Sequence, residues 1–443
     1  MSSFAHYVFS AAVAAALVAG SAGAQLLPGV GLPPVSLPAP VSNVPVAGPV
    51  LQDVLGQPQA QQVIRPTLDT VSGLPEAIAE AGAGTLLDLR RLRLQELIRS
   101  NRNQLENDGN GQPVRRGVLV AIEPDPLSLQ LAARAGFRVI ADETDAIIGL
   151  RSVQLAVPRG MSARDGLKRL RSAAPQLQAD YDHVFEPAGG GLMPLNAALA
   201  SVSGAGGRVV GMIDGGVASH PSLAGASIEQ NGFSGSPQPT GHGTAVASLL
   251  VGSQGPFRGA SVGASLYVAD VYGGNRAAGS ATAIVKALGW LAGHRAQVIN
   301  ISLIGPPNKL VERAVQLVQR RGIQLVAAVG NDGPAAPPQY PASYAGVIAV
   351  TAVDGRGRAL VEAGKPTHLD FAAPGADMAA ALPGKGYTRV RGTSFAAPLA
   401  AARLLLAGSP ARLAAEARPG RGRVGRGIVC GDCRIEPRAV GAK

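Results

Sequence analysis

From Gly207 onward, short apolar runs alternate with stretches of helical period, and this alternation constrains the fold more than any other feature of the sequence. Residues 209–213, 266–271, 298–301, 325–329 and 347–353 are β-rich. Between them lie helical stretches at 244–251, 281–293 and 309–321, the last placing Leu310, Ala314, Leu317 and Val318 on one face. Strands that are apolar on both faces must be covered on both faces, which predicts an α/β domain built on a parallel sheet flanked by helices. The composition agrees. In 443 residues, 46% are apolar, only 4% are aromatic and 58 are Gly, as in a loop-rich globular protein packed with Ala, Val and Leu. That length allows two or three domains.

A second pattern precedes the first. Between Arg116 and Phe185 the sequence reads as strand (117–122), helix (127–135), strand (137–141), strand (148–157), helix (162–173) and strand (180–185). That β-α-β-β-α-β order predicts a smaller, ferredoxin-like α+β unit. Ahead of it, Leu87, Leu94, Ile98 and Leu105 fall near one face of a predicted helix over 86–105. Prolines recur through 27–50 and keep that stretch extended. The apolar run 7–18, followed by Ala22, Gly23 and Ala24 before Gln25, reads as a secretory signal peptide, although its n-region lacks Lys and Arg. The run falls short of the ~20 residues of a spanning helix, and no later segment qualifies.

The net charge of +11 is read first as solvated surface. Nucleic-acid binding would need a basic face with a recognisable module or interleaved aromatics, and neither is visible. The only cysteines, Cys430 and Cys433, lack a second ligand pair for zinc, so a short disulfide is the favoured reading and no metal site is expected.

Four short segments carry candidate chemistry. Asp214 ends a hydrophobic strand before Gly215 and Gly216; an acid there can orient an imidazole, although an Asp that starts a turn is the commoner case. His242 lies between Gly241 and Gly243 at a helix start. Asn331 follows a buried strand, where Asn often serves only as a turn residue. Ser394 follows Gly392 and Thr393 at the start of an Ala- and Leu-rich helix, where unpaired N–H groups can stabilise an oxyanion or the serine can simply cap.

Taken together, Asp214, His242, Asn331 and Ser394 stand in the order and flanking context of the subtilisin-like serine protease family. Residues 220–223 (His-Pro-Ser-Leu), 298–303, 340–342 (Tyr-Pro-Ala) and 373–375 (Ala-Pro-Gly) add to the resemblance, which spans about 207–407. It implies a subtilisin-like fold and peptide-bond hydrolysis through an acyl-enzyme. Asp214, His242 and Ser394 would form the triad, and Asn331 would complete the oxyanion hole. Substrate would lie against Ser302, Leu303, Ile304 and Gly305, with Ala328, Val329 and Gly330 walling a pocket. The resemblance also implies a self-processing precursor. Its expected parts are a signal peptide (1–24), a Pro-rich linker (25–73), a helical segment with an α+β pro-domain (74–190), the catalytic domain (191–408) and a basic Gly/Arg-rich tail (409–443). Removal is expected in the link 189–199. The expected partners are protein or peptide substrates and the chain's own pro-domain as inhibitor, in a protein that is secreted or periplasmic. No cofactor is needed for such chemistry; family members often bind calcium through dispersed loops, and no dense acidic loop stands out here.

Two departures matter. Gly215 stands where the family more often has Ser or Thr, and Ile304 where glycine is usual, so a β-branched side chain would occupy space left for the ligand's backbone. Two motif matches are decoys. The G-x-S-x-G at 259–263 precedes a strand when a nucleophile elbow must follow one, and the G-x-G-x-x-G at 420–425 has no strand feeding it. The rivals are an inactive, subtilisin-shaped binding module and an esterase using the same triad.

Overall fold

The computed structural model describes residues 83–188, 207–384 and 386–442. The expected signal peptide, the Pro-rich linker and the link 189–199 lie outside them.

The first part begins with helix α1 (Ala83–Ser100). Asn101 ends it, its side-chain amide donating to the Leu97 carbonyl at 2.9 Å. Leu105 therefore leaves the expected helical face and is buried in strand β1 (Leu105–Asn107). There follow β2 (Pro113–Ile122), α2 (Pro126–Arg134), β3 (Arg138–Asp145), β4 (Leu150–Ala156), α3 (Ala163–Ala173) and β5 (Ala179–His183). The sheet runs β5-β2-β4-β3 with every pairing antiparallel, and β1 pairs with the start of β2. This is the expected split βαβ arrangement. Its helices begin where the local chemistry directs: Asp125 accepts from the Ser128 N–H at 2.9 Å, with Pro126 opening α2, and Ser162 accepts from the Asp165 N–H at 3.1 Å. Leu119, Val153 and Leu155 from the strands pack with Leu167 and Leu170 of α3 in a core of their own.

Strand β6 (Glu186–Pro187) then leads to the larger part. It comprises β7 (Val209–Asp214), β8 (Ile228–Gly232), α4 (Gly241–Val251), the short pair β9 (Ser253–Gln254) and β10 (Phe257–Arg258), β11 (Ser265–Asp270), α5 (Ala281–Gly293), β12 (Val298–Ile301) and β13 (Leu303–Ile304). After these come α6 (Lys309–Arg320), β14 (Gln324–Ala328), β15 (Ile348–Val353), β16 (Phe371–Pro374), β17 (Met378–Ala381), β18 (Tyr387–Val390), α7 (Thr393–Ala407) and α8 (Pro410–Glu416). Seven strands form a parallel sheet in the order β16-β15-β14-β12-β7-β11-β8. β12 and β15 are buried along their whole length, as apolar strands with both faces covered must be. The Gly/Arg-rich end is folded onto this sheet. The Val429 N–H donates to the Ala372 carbonyl at 2.8 Å, and Cys430 and Cys433 are joined in a disulfide.

Candidate active site

All four candidate residues sit where the parallel strands end or the following helices begin, the edge at which open α/β sheets place their sites. Asp214 closes β7 and is 1% exposed. His242 is the second residue of α4, whose Thr240 cap accepts from the Gly243 N–H at 2.9 Å. The His242 Nδ1 lies 2.9 Å from both carboxylate oxygens of Asp214, which fixes the ring and leaves Nε2 for chemistry. A methyl group at Gly243 would run into the Gly215 and Gly216 carbonyls, so this glycine lets the His242 turn pack onto the Asp214 turn. The Gly215 departure has a local reason as well: a Cβ there would stand 2.6 Å from the Thr240 hydroxyl oxygen.

Ser394 is the second residue of α7, buried, with the His242 ring 5.3 Å from that of its neighbour Phe395. The Ser394 Oγ and the His242 Nε2 are both buried, and among the described residues neither has a hydrogen-bond partner. The Ser394 turn is anchored by its surroundings: the Ser302 hydroxyl donates to the Ser394 carbonyl at 3.0 Å and itself accepts from the Asn300 amide at 2.9 Å. Asn331 is tied to the same turn, its Oδ1 accepting from the Thr393 N–H at 2.9 Å. A Cβ at Gly392, where φ is +140°, would come 2.8 Å from the Asn331 Nδ2.

That Asn331 Nδ2 donates to the carbonyl of Ala188. The Ala188 N–H donates to the Ser302 carbonyl at 2.9 Å, β6 runs antiparallel to β13 with Glu186 opposite Ile304, and the Phe185 N–H donates to the Gly279 carbonyl at 2.8 Å. The chain's own segment 185–188 thus lies as an added strand between β13 and Gly279, its last carbonyl on Asn331. Sequence reasoning expected the pro-domain as inhibitor but named neither residues 185–188 as the strand that enters nor Gly279 on the opposite rim. The only signal was an extended Phe-Glu-Pro-Ala ahead of a glycine run. At Ile304 the register admits an added strand, its backbone pairing with Glu186, while its side chain crowds the space at Gly330, where an added Cβ would stand 3.4 Å from its Cγ2.

The sequence model of the subtilase family matches residues 205–414. Subtilisin Savinase of Lederbergia lenta is 34% identical over 195 residues, which cover 43% of this chain and 71% of that protein. The chain belongs to the subtilase family. The alkaline protease of Alkalihalobacillus alcalophilus is likewise 34% identical, although the match spans only 50% of its length. Among solved structures, fervidolysin from Fervidobacterium pennivorans, a keratinolytic enzyme related to subtilisin, shares the fold with a TM-score of 0.59. Its sequence identity is 19%, over 74% of this chain and 61% of that one. The subtilase is therefore a serine-type endopeptidase, a hydrolase of a family whose chemistry generally needs no cofactor.

Around the cleft the subtilase carries two further features that join distant segments. Asp332, next to Asn331, is held by α1: the Arg90 Nε is 3.1 Å from one carboxylate oxygen and the Arg93 Nη2 is 3.0 Å from the other. Arg93 also reaches Glu186 at 3.3 Å, and Arg276 approaches the second Glu186 oxygen at 3.5 Å. The other feature lies at two helix starts. The Asp182 carboxylate accepts from the N–H and the hydroxyl of Thr282 at 3.0 and 2.9 Å, and Asp180 accepts from the Lys309 N–H at 2.8 Å. Two carboxylates from β5 thus meet the positive ends of α5 and α6.

Proposed function

We propose that this subtilase is an exported endopeptidase made as a self-processing precursor, and that its first substrate is its own Ala188–Gly189 bond. The observation that carries this reading is the Ala188 carbonyl, held at Asn331 while the adjacent N–H is held by Ser302. In this reading the His242 Nε2 takes the Ser394 proton as Oγ attacks a peptide carbonyl, then returns it to the departing amine. Asp214 keeps the imidazole in the required tautomer and stabilises the imidazolium. The developing oxyanion is met by the Asn331 amide and the Ser394 N–H at the positive end of α7. The resulting acyl-enzyme is then released by water.

Residues 83–188 act as the intramolecular inhibitor, for which the β6–β13 pairing and the capping of α5 and α6 are the support. Export rests on the apolar run 7–18 and the small residues before Gln25. Among the described residues no helix is long and apolar enough to cross a membrane.

Intact mass and N-terminal sequencing of the full chain, beside Ser394→Ala, test the proposal. Wild type is expected to yield a new N-terminus at Gly189 and a serine that reacts with a fluorophosphonate, and Ser394→Ala neither. An active enzyme that keeps residues 83–188 joined to the rest, or cleavage that persists in Ser394→Ala, overturns it.

A further inference from the structure

Resting on that reading of Ser394 and Ala188, we infer that the matured enzyme selects substrates with a small residue immediately before the cut and a carboxylate two residues further upstream, the first set by Ile304 and Gln339 and the second by Arg276.

The backbone of Ala188 is pinned between Ser302, which leads into the strand that carries Ile304, and Asn331, which follows Gly330; on this inference its side chain uses the space between those two segments. That space is already occupied from both sides. A Cβ placed on Gly330 would stand 3.3 Å from the Gln339 Cγ, 3.4 Å from the Ile304 Cγ2 and 3.6 Å from the Ile304 Cδ1. Neither side chain is loose: Ile304 is β-branched and 4% exposed, while Gln339 is 3% exposed and donates through Nε2 to the Pro337 carbonyl at 2.6 Å. Among the described residues the buried Gln339 Oε1 has no hydrogen-bond partner, so an apolar side chain pushed in beside it would also have to share its pocket with that carbonyl oxygen. Ala188, 2% exposed, fits what is left. Leu or Phe at that position would have to displace Ile304 or Gln339.

The Glu186 carboxylate is 6% exposed and lies between Arg93 and Arg276. Cutting after Ala188 separates Arg93 from the enzyme, since α1 precedes the cut. Arg276 stays, because it sits in the turn that leads to Gly279, the backbone acceptor for Phe185. A substrate strand in the same register therefore brings its acid to a guanidinium already in position. With 24% of the Arg276 side chain exposed, the pair is partly screened, and the preference it confers is moderate and salt-dependent.

The test uses matured wild-type enzyme and quenched fluorescent peptides carrying Phe-Glu-Pro-Ala before the cut, with Ala changed to Leu or Phe and Glu changed to Gln. Ala is expected to exceed Leu and Phe by at least about tenfold in kcat/KM. Glu is expected to exceed Gln by roughly three- to tenfold at low salt, with the advantage shrinking as salt rises. Arg276→Gln should abolish the Glu preference and leave the Ala-to-Leu ratio alone. Ile304→Ala should move that ratio towards Leu about tenfold and leave the Glu preference alone, and Gln339→Ala should act in the same direction as Ile304→Ala. Fluorophosphonate uptake, measured in every variant, reports the triad independently of preference. An enzyme that takes up the probe but shows a flat profile, or a profile that neither Arg276→Gln nor Ile304→Ala alters, overturns this inference alone. Absence of both probe uptake and peptide cleavage overturns the inference together with the functional reading beneath it.

Discussion

Replacing Arg93 by Ala should loosen α1 from the cleft by an amount that can be worked from the contacts. Burial works against the Arg93 charge, yet Asp332 and Glu186 together raise its pKa above the ordinary arginine value. Breaking a buried ion pair by removing one partner costs about 3–5 kcal/mol. Here the cost is smaller, because Asp332 keeps Arg90 at 3.1 Å, Glu186 keeps Arg276 at 3.5 Å, and Arg93 is itself 18% exposed. We expect about 2 kcal/mol, which is roughly a thirtyfold rise in the constant for local opening of α1. Hydrogen exchange followed by mass spectrometry reads this directly, in full-length chain carrying Ser394→Ala so that no cleavage intervenes. Amides of α1 should exchange about thirtyfold faster in Arg93→Ala, while those of β2 and β4 keep their protection. In an Asp332→Asn background the same substitution should do less, since half of what Arg93 contacts is already neutral. Unchanged exchange in α1, or an equal rise throughout the antiparallel sheet, would refute the idea that this charge cluster fastens the helix.

Three other outcomes follow from the same structure. Asn331→Ala should lower kcat by about 10²–10³, the loss seen in the subtilisin family itself when one oxyanion donor goes, with little change in KM on short peptides. Asp182→Asn should flatten the pH dependence of docking between residues 83–188 and the rest. Burial raises the Asp182 pKa, offset in part by Arg115 and Thr282, so the docked form binds the proton more tightly than the free form. Its contribution is then fully present below the ordinary aspartate range and lost as pH rises through the raised value, which exchange protection of β5 against pH will show. Joint replacement of Cys430 and Cys433 by Ser opens a loop of sequence separation 3, so the melting temperature should fall by only a few degrees, from at most about 2 kcal/mol, with fluorophosphonate labelling retained.

What the sequence made legible follows from what each element needs. Central strands buried on both faces must be largely apolar, so β7, β11, β12, β14 and β15 stand out, and α5 was expected at 281–293, where it lies. Edge strands escape this pressure. Among the described residues β8 pairs only with β11, and it reads Ile-Glu-Gln-Asn-Gly, while β16, at the opposite edge, is only four residues long. Neither has a run long enough to show. The triad candidates and Asn331 were legible because each needs small neighbours at a strand or helix end, a local requirement that writes itself into adjacent letters. The fit of Gly215 to Thr240 and the pairing of Arg93 with Asp332, which are 239 residues apart in sequence, leave no local mark. Only the folded chain brings them together.

The proposed cut would not by itself open the cleft. It breaks one covalent bond after Ala188, but the β6–β13 pairing, the two carboxylate caps on α5 and α6, and the two arginines on Asp332 are all noncovalent attachments that remain. Each is favourable only while the others hold residues 83–188 in place, so their effective concentrations are high and they reinforce one another. Releasing the segment leaves the first N–H groups of α5 and α6 without their β5 acceptors, and leaves Asp332, next to Asn331, without either arginine. Activation on this reading is therefore limited by loss of the whole inhibitory segment, and the attachment to weaken first is the one at α1. Its two arginines hold Asp332, the residue next to Asn331, and they depend on a helix that joins the antiparallel sheet through β1 at its end.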